Sequence, residues 1–287
     1  MGIVNVTPDS FSGDGLGHDL EAAVAQGLRM VSEGAVMLDV GGESTRPGHV
    51  PVSAAEEIAR TEEVVRRLSR ESDVPVSIDT YKLEVAVAAV AAGATILNDV
   101  WGLTRSPGLA GLAARHECAL VLMHNQDGTE YAGDLMSEVK RFLHAAVDAA
   151  VAAGVPRERI LIDPGIGFGK TADQNWEVMR RLVELRELGQ PVLVGTSRKS
   201  FIGKLLDVPA DERLAGSAAT VSAAILRGVI REQPFVVVIL LVVDSNALLR
   251  IRGSDAYDSP SAETLPRRLA GNRGKRKSSP RVLAGLA

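Results

Sequence analysis

Short apolar runs alternate along the chain with longer stretches in which apolar positions recur at helical spacing. Runs of strand length lie at Gly2–Val6, Ala35–Val40, Val74–Ile78, Thr95–Leu97, Ala119–Met123, Ile160–Ile162 and Pro191–Val194. Helical patterns lie at about 19–33, 53–70, 82–92, 108–116, 134–153, 171–188 and 211–228. Gly34, Gly93, Gly154 and Gly189 fall just past predicted helix ends, where a left-handed residue is needed. Ser53, with Glu56 three residues on, has the form of a capping box. Strand–helix alternation of this kind predicts parallel strands covered by helices. Seven such units, with an eighth strand at Phe235–Val243, predict a (β/α)₈ TIM barrel. A doubly wound open sheet is the alternative, weakened because no Gly-x-Gly-x-x-Gly follows the first strand.

The polar clusters all follow strands: Asn5 onward, Gly41–Gly48, Asp79-Thr80, Asn98-Asp99, His124-Asn125, Asp163–Lys170 and Gly195–Ser200. In a barrel these positions share one rim, the face on which such folds carry their active sites. A pocket is therefore predicted there.

Composition narrows its contents. Aromatic residues are only 3%, too few for a base-stacking nucleic-acid surface, and a net charge of −4 gives no general attraction to polyanions or anionic membranes. The longest apolar run, Phe235 to Val243, is shorter than the ~20 residues that span a bilayer. Cys118, the only cysteine, excludes an intrachain disulfide and reads as a small buried hydrophobe. No signal-peptide pattern opens the chain, and a cytoplasmic location is expected.

Each rim motif supports two readings. Asn5 to Ser12 is a turn, or a loop whose Asn5 amide oxygen binds a hard cation. Arg46, between Gly41-Gly42 and Pro47-Gly48, is a surface arginine or an anion-binding fork. Asp79 is a helix N-cap or a carboxylate receiving N–H donors from a heterocycle, and Asn98-Asp99 carries the same ambiguity. Asp163 to Lys170 is a glycine-rich turn, or backbone making room for a flat ligand beside Phe168. Gly195 to Ser200 opens a helical segment, with two adjacent cations where barrels bind phosphate. No histidine pair has metal-ligand spacing, so zinc is not expected. Asp79, Asn98 and Asp163, with cationic Arg46 and Lys199, describe a pocket for a donor-rich ring and an anionic group.

Taken together, Asn5-Val6-Thr7-Pro8-Asp9-Ser10-Phe11, Gly41 to Gly48, Ser77-Ile78-Asp79-Thr80, Asn98-Asp99-Val100, Ile162 to Lys170 and Gly195 to Gly203 resemble the dihydropteroate synthase family. The resemblance covers Met1 to about Gly228. It implies a C–N bond-forming transferase of folate biosynthesis, dependent on Mg²⁺ and inhibited by sulfonamides. The substrates would be 6-hydroxymethyl-7,8-dihydropterin pyrophosphate and p-aminobenzoate. Asp79, Asn98, Asp163 and Lys199 would bind the pterin ring, with Asp79, Asp163 and Lys199 as the catalytic set. Thr45, Arg46, Phe168 and Ser197 would shape the p-aminobenzoate pocket, and Asn5 would hold the metal. A homodimer is the family's common state.

Past Gly228 the chain departs from the family. The Arg-x-His-Asp-Val motif of the eighth strand is absent, and no histidine follows His144. From Arg250 onward nine Lys and Arg face three Asp and Glu, which predicts a disordered basic tail. The expected division is a barrel domain over 1–243 and a tail over 244–287. A reading-frame change or a substituted C-terminus would account for the break, and a second reading stays open: a catalytically impaired pterin-binding relative or damaged-gene product.

Overall fold

A computed structural model describes residues 1–7, 19–44, 51–228 and 237–240. Among the described residues eight strands and eight helices follow one another, with two helices between the last two strands: β1 (Gly2–Asn5), α1 (Leu20–Ser32), β2 (Leu38–Gly41), α2 (Ala54–Glu71), β3 (Val76–Asp79), α3 (Leu83–Ala92), β4 (Ile96–Asp99) and α4 (Gly108–His116) come first. Then follow β5 (Ala119–Met123), α5 (Leu135–Ala152), β6 (Ile160–Asp163), α6 (Ala172–Arg181), β7 (Val192–Gly195), α7 (Ser200–Leu206), α8 (Leu214–Gly228) and β8 (Val237–Leu240). All strand pairs are parallel, and the sheet runs in chain order from β1 to β8. This is the (β/α)₈ arrangement. A doubly wound sheet would reverse its strand order partway, and this one does not.

Alternation along the strands divides the core into two layers. One set of side chains, including Val4, Leu38, Val40, Ile78, Leu97, Leu120, Leu122, Ile162 and Val194, packs outward under the helices. The other set, Met37, Ile96, Ala119, Val121, Leu161 and Leu193, fills the interior. Burying each large aliphatic side chain contributes ~1.5–3 kcal/mol, and Cys118 belongs to the outer layer, as expected of a small hydrophobe.

The punctuation residues act where the sequence places them. Gly34, Gly93, Gly154 and Gly189 all have positive φ. Ser53 caps α2 by accepting from the Glu56 backbone N–H at 3.2 Å, but the Glu56 side chain turns to Arg60 instead of closing the box. A reciprocal capping box forms instead at Thr171 and Gln174, at the start of α6. The helix expected over 171–188 changes after Arg181 to a tighter 3₁₀ segment, Leu182–Leu188, and the one expected from 211 starts at Leu214.

β8 falls within the predicted Phe235–Val243 run and pairs with β7 over four residues, from Val192 opposite Val237 to Gly195 opposite Leu240. The free side of β7 is thus covered. The boundary expected at 243/244, the tail and the region of the last helix lie outside the described residues. Among the described residues no helix is long and apolar enough to cross a membrane.

Candidate active site

Four strand ends place their last inward positions on one line. Asn5 of β1 pairs with Gly41 of β2, Gly41 with Asp79 of β3, and Asp79 with Asn98 of β4. Gly41 contributes no side chain. A Cβ built there would lie 3.6 Å from Asn5 Oδ1 and 3.8 Å from Asp79 Oδ2, so the glycine leaves the space between two polar groups open. Asp79 is not the cap of the next helix: α3 starts from Lys82, whose N–H donates to Thr80 Oγ1 at 3.1 Å. Burial pushes the Asp79 carboxyl well up, reinforced by Asp39, and its Oδ1 has no hydrogen-bond partner among the described residues. A buried acceptor in that state calls for a donor from a ligand. The neighbouring pair divides. Asn98 faces the pocket line, whereas Asp99 accepts from the N–H groups of Trp101 at 2.9 Å and Leu103 at 2.6 Å and shapes its own turn.

Across the rim, Asp163 is buried at the end of β6 and accepts from Gly165 N–H at 2.6 Å. Burial raises its carboxyl, opposed by Lys199, the Gly165 N–H and Lys170. Lys199 donates to the Ile166 carbonyl, and its Nζ lies 4.6 Å from the centre of the Phe168 ring. Desolvation lowers the Lys199 ammonium to about 8, against the pull of Asp163 and Asp79. Buried carboxyls on both sides, Asp79 and Asp163, with an ammonium stacked on an aromatic ring beside Asp163, make a cleft suited to a flat, polar heterocycle.

The glycines of the Asp163–Lys170 turn do a different job from the one read in the sequence. All three have positive φ, and the space each leaves is filled by protein. A Cβ on Gly165 would sit 1.9 Å from the His124 carbonyl oxygen, one on Gly167 would meet the Lys199 side chain at 2.9 Å, and one on Gly169 would lie 2.8 Å from the Gln126 carbonyl. They let the turn dock on the loop after β5 and let Lys199 pass. Lys170, at the end of the turn, is buried and reaches His124 Nδ1 at 2.9 Å and the carbonyls of Gly165 and Phe168 at 3.1 Å each. Burial brings this lysine down to about 7 and His124 to about 3.

Lys82 donates to two buried carboxylates, Glu43 and Glu57, and to the Val52 carbonyl, while Val52 N–H and the Tyr81 hydroxyl donate to Glu43. The chain on both sides of residues 45–50 is thus held by one ion cluster. Thr45 and Arg46 themselves lie outside the described residues. Ser197 lies half-buried in the β7–α7 turn beside Lys199. α7 has only seven residues, too short for a strong dipole at that turn.

Thus Asn5, Asp79, Asn98, Asp163, Phe168, Ser197 and Lys199 all belong to strand ends or the turns after them, as the sequence indicated. Sequence reasoning missed Asp39, which accepts from the Asn98 side-chain amide at 3.0 Å, and the Lys170–His124 pair. The signal for Asp39 was present: a lone carboxylate inside an apolar strand. Among the described residues no group of three or more His, Cys, Asp or Glu is placed to hold a metal ion. Two further grooves lie among the helices: one of about 470 Å³ between α4 and α5, which reaches the loops after β4 and β5 at Gly102 and His124, and one of about 290 Å³ between α6, α7 and α8.

The model of the pterin binding enzyme family matches residues 1–231. A dihydropteroate synthase from Clostridium beijerinckii is 47% identical over 227 residues, spanning 79% of this chain and 84% of the relative. Among solved structures, a dihydropteroate synthase from Clostridium difficile, crystallised in the presence of pteroic acid, superposes with a TM-score of 0.77 at 46% identity. The match covers 83% of this chain and 89% of that one. A Yersinia pestis dihydropteroate synthase in complex with a sulfonamide drug superposes with a TM-score of 0.77 at 40% identity, covering 83% and 87% of the two chains.

Proposed function

We infer how the rim works from one premise: the chain belongs to the pterin binding enzyme family, and within it to the dihydropteroate synthases. Its reaction is the condensation of 6-hydroxymethyl-7,8-dihydropterin pyrophosphate with p-aminobenzoate, giving 7,8-dihydropteroate and pyrophosphate. The observation that carries the assignment of residues is the grouping of Asp79, Asn98 and Asp163 on one rim, with Lys199 beside Asp163.

A pterin presents an amino group and ring N–H groups along one edge. We assign Asp163 and Asp79 as acceptors for those donors, with Asn98 between them and Lys199 donating to the ring. The raised carboxyls fit this task, since a buried acid is stabilised by a ligand that donates to it. Phe168 and Ser197, with Thr45 and Arg46, would border p-aminobenzoate. The aromatic amine attacks the pterin methylene carbon through its lone pair; the carbon–oxygen bond breaks and its electron pair leaves with pyrophosphate. The amine nitrogen then loses its proton to solvent. Electron donation from the ring stabilises positive charge on that carbon, so a weakly basic amine suffices and no strong general base is required. His124 is accordingly free to serve inside the protein, bonded to Lys170.

Mg²⁺ belongs to the proposal. Magnesium is bound by one or two side chains with waters and substrate phosphates. The Asn5 amide oxygen beside the cleared space at Gly41 fits such a single-ligand role. When bound, the ion would neutralise charge on the departing pyrophosphate. A homodimer and a cytoplasmic location complete the reading; sedimentation at micromolar concentration tests the first.

The deciding experiment supplies purified protein with the pterin pyrophosphate, p-aminobenzoate and Mg²⁺, and measures dihydropteroate by chromatography. Product well above a Lys199→Ala control supports the assignment. Folded protein without product favours the second reading, a pterin-binding relative that lacks the Arg-x-His-Asp-Val motif.

A further inference from the structure

Asp39 lies one layer below the rim. It is two residues before Gly41 on β2 and pairs with Ser77, not with a rim residue. Met37, Ile96, Ala119, Val121, Leu161 and Leu193 make up most of the surrounding interior, and the Ser77 hydroxyl and the Met1 ammonium are its other polar neighbours. Asp39 is only 3% exposed. A carboxylate in such surroundings is costly unless a partner offsets the loss of water. Ser77 and the Met1 ammonium favour its charged form, and Asn98 gives it a defined hydrogen bond, Nδ2 donating to Asp39 Oδ2 at 3.0 Å. The Asn98 Oδ1 has no hydrogen-bond partner among the described residues.

A carboxylate only accepts hydrogen bonds, so it can hold only the nitrogen end of an amide. Without that partner Asn98 would be free to present either end to the pocket. With Nδ2 held below, the oxygen is left on the pocket side, on the line that also carries Asp79. We propose that Asp39 is a positioning residue for the pterin substrate: it locks the Asn98 amide with its oxygen toward the cleft, so that Asn98 matches the acceptors Asp79 and Asp163 against the donor edge of the ring. The proposal rests on the assignment of Asn98 to the pterin pocket. It gives a reason for a buried charge that the reaction does not otherwise use.

The test exchanges the two side chains. Asn98→Asp alone sets two carboxylates against each other across the same contact. Asp39→Leu removes the acceptor and frees the amide to turn. In the double variant Asp39→Asn with Asn98→Asp, the amide is below and donates upward, and the second carboxylate oxygen again faces the cleft. Binding of 6-hydroxymethyl-7,8-dihydropterin pyrophosphate to the full chain is followed by calorimetry, with KM for each substrate where turnover is present. Losing one hydrogen bond and leaving its partner unpaired corresponds to roughly tenfold in affinity. We expect each single variant to bind the pterin about tenfold or more weaker, KM for p-aminobenzoate to stay constant, and the exchange to recover most of the loss. Wild-type affinity in Asp39→Leu would overturn the proposal, as would an exchange variant that binds no tighter than Asn98→Asp. If Asp39→Leu does not fold, the comparison of the exchange with Asn98→Asp decides. Calorimetry needs no turnover, so a wild-type protein that binds pterin without making product leaves this test intact while failing the functional assignment.

Discussion

The Nζ of Lys170 and Nδ1 of His124 lie 2.9 Å apart, both buried, and join the turn after β6 to the loop after β5. The contact holds His124 neutral, because burial and the nearby ammonium both oppose a second positive charge. Its ring also packs edge-on against Phe142 at 4.9 Å. Phe168, which shares Lys170 through its carbonyl, is thereby tied to the loop after β5.

Lys170→Met should therefore destabilise the protein. It leaves the carbonyls of Gly165 and Phe168 and the His124 nitrogen without this donor, at ~1–3 kcal/mol for each that stays buried. The pH dependence should also change. The unfolded lysine keeps its proton up to about 10.5, the folded one only to about 7. The unfolded chain binds more protons between those values, so this group makes stability rise with pH across that window. In Lys170→Met the rise should shrink, as read by thermal denaturation at pH 7, 8 and 9; an unchanged slope would contradict the assignment.

Lys199 should impose an alkaline limit on catalysis. Its ammonium, lowered to about 8, is charged below that pH and neutral above it. If the cation binds the ring, kcat/KM for the pterin pyrophosphate falls as pH rises through 8. Lys199→Arg should remove that limb from the pH–rate profile at some cost in rate, and Lys199→Ala should lose about ten- to a hundredfold, the size of a charge-assisted hydrogen bond. A wild-type profile flat to pH 9.5 would exclude the role.

Gly165→Ala should be among the most damaging single changes. The added Cβ meets backbone at 1.9 Å in a left-handed residue, and neither side can yield without moving the turn. Gly189→Ala is the control: its φ is also positive, but nothing lies within 4 Å of its Cβ. The control should cost ~1 kcal/mol of backbone strain and Gly165→Ala several times that. Equal denaturation midpoints for the two would refute the packing account.

A sulfonamide should compete with p-aminobenzoate and not with the pterin. Raising p-aminobenzoate at fixed inhibitor should restore the rate. Inhibition that p-aminobenzoate cannot relieve would place the drug elsewhere.

Much of this was legible in the chain. Apolar runs located all eight strands, and polar clusters after them located the rim. Most misjudged strand ends fell short, since Gly41, Asp79, Asp99, Asp163 and Gly195 each belong to a strand whose apolar run stops earlier, whereas β1 ends at Asn5, before Val6. Strand length follows backbone pairing, which continues into the polar residues that face the barrel mouth. Contacts between distant residues were hidden for a different reason. Lys170 and His124 are 46 positions apart, and Asp39 and Asn98 are 59. No local pattern reports such pairs. The turn glycines misled because space for a ligand and space for a neighbouring loop require the same residue type.

The β7–β8 ladder carries a last consequence. It is made by main-chain groups from Val192 to Gly195 and Val237 to Leu240, and main chain is blind to side-chain identity. A Val-, Ile- and Leu-only segment therefore takes the seat beside β7. Architecture is written here in an alphabet that side chains do not enter, so this strand can change its side chains and keep its place in the sheet.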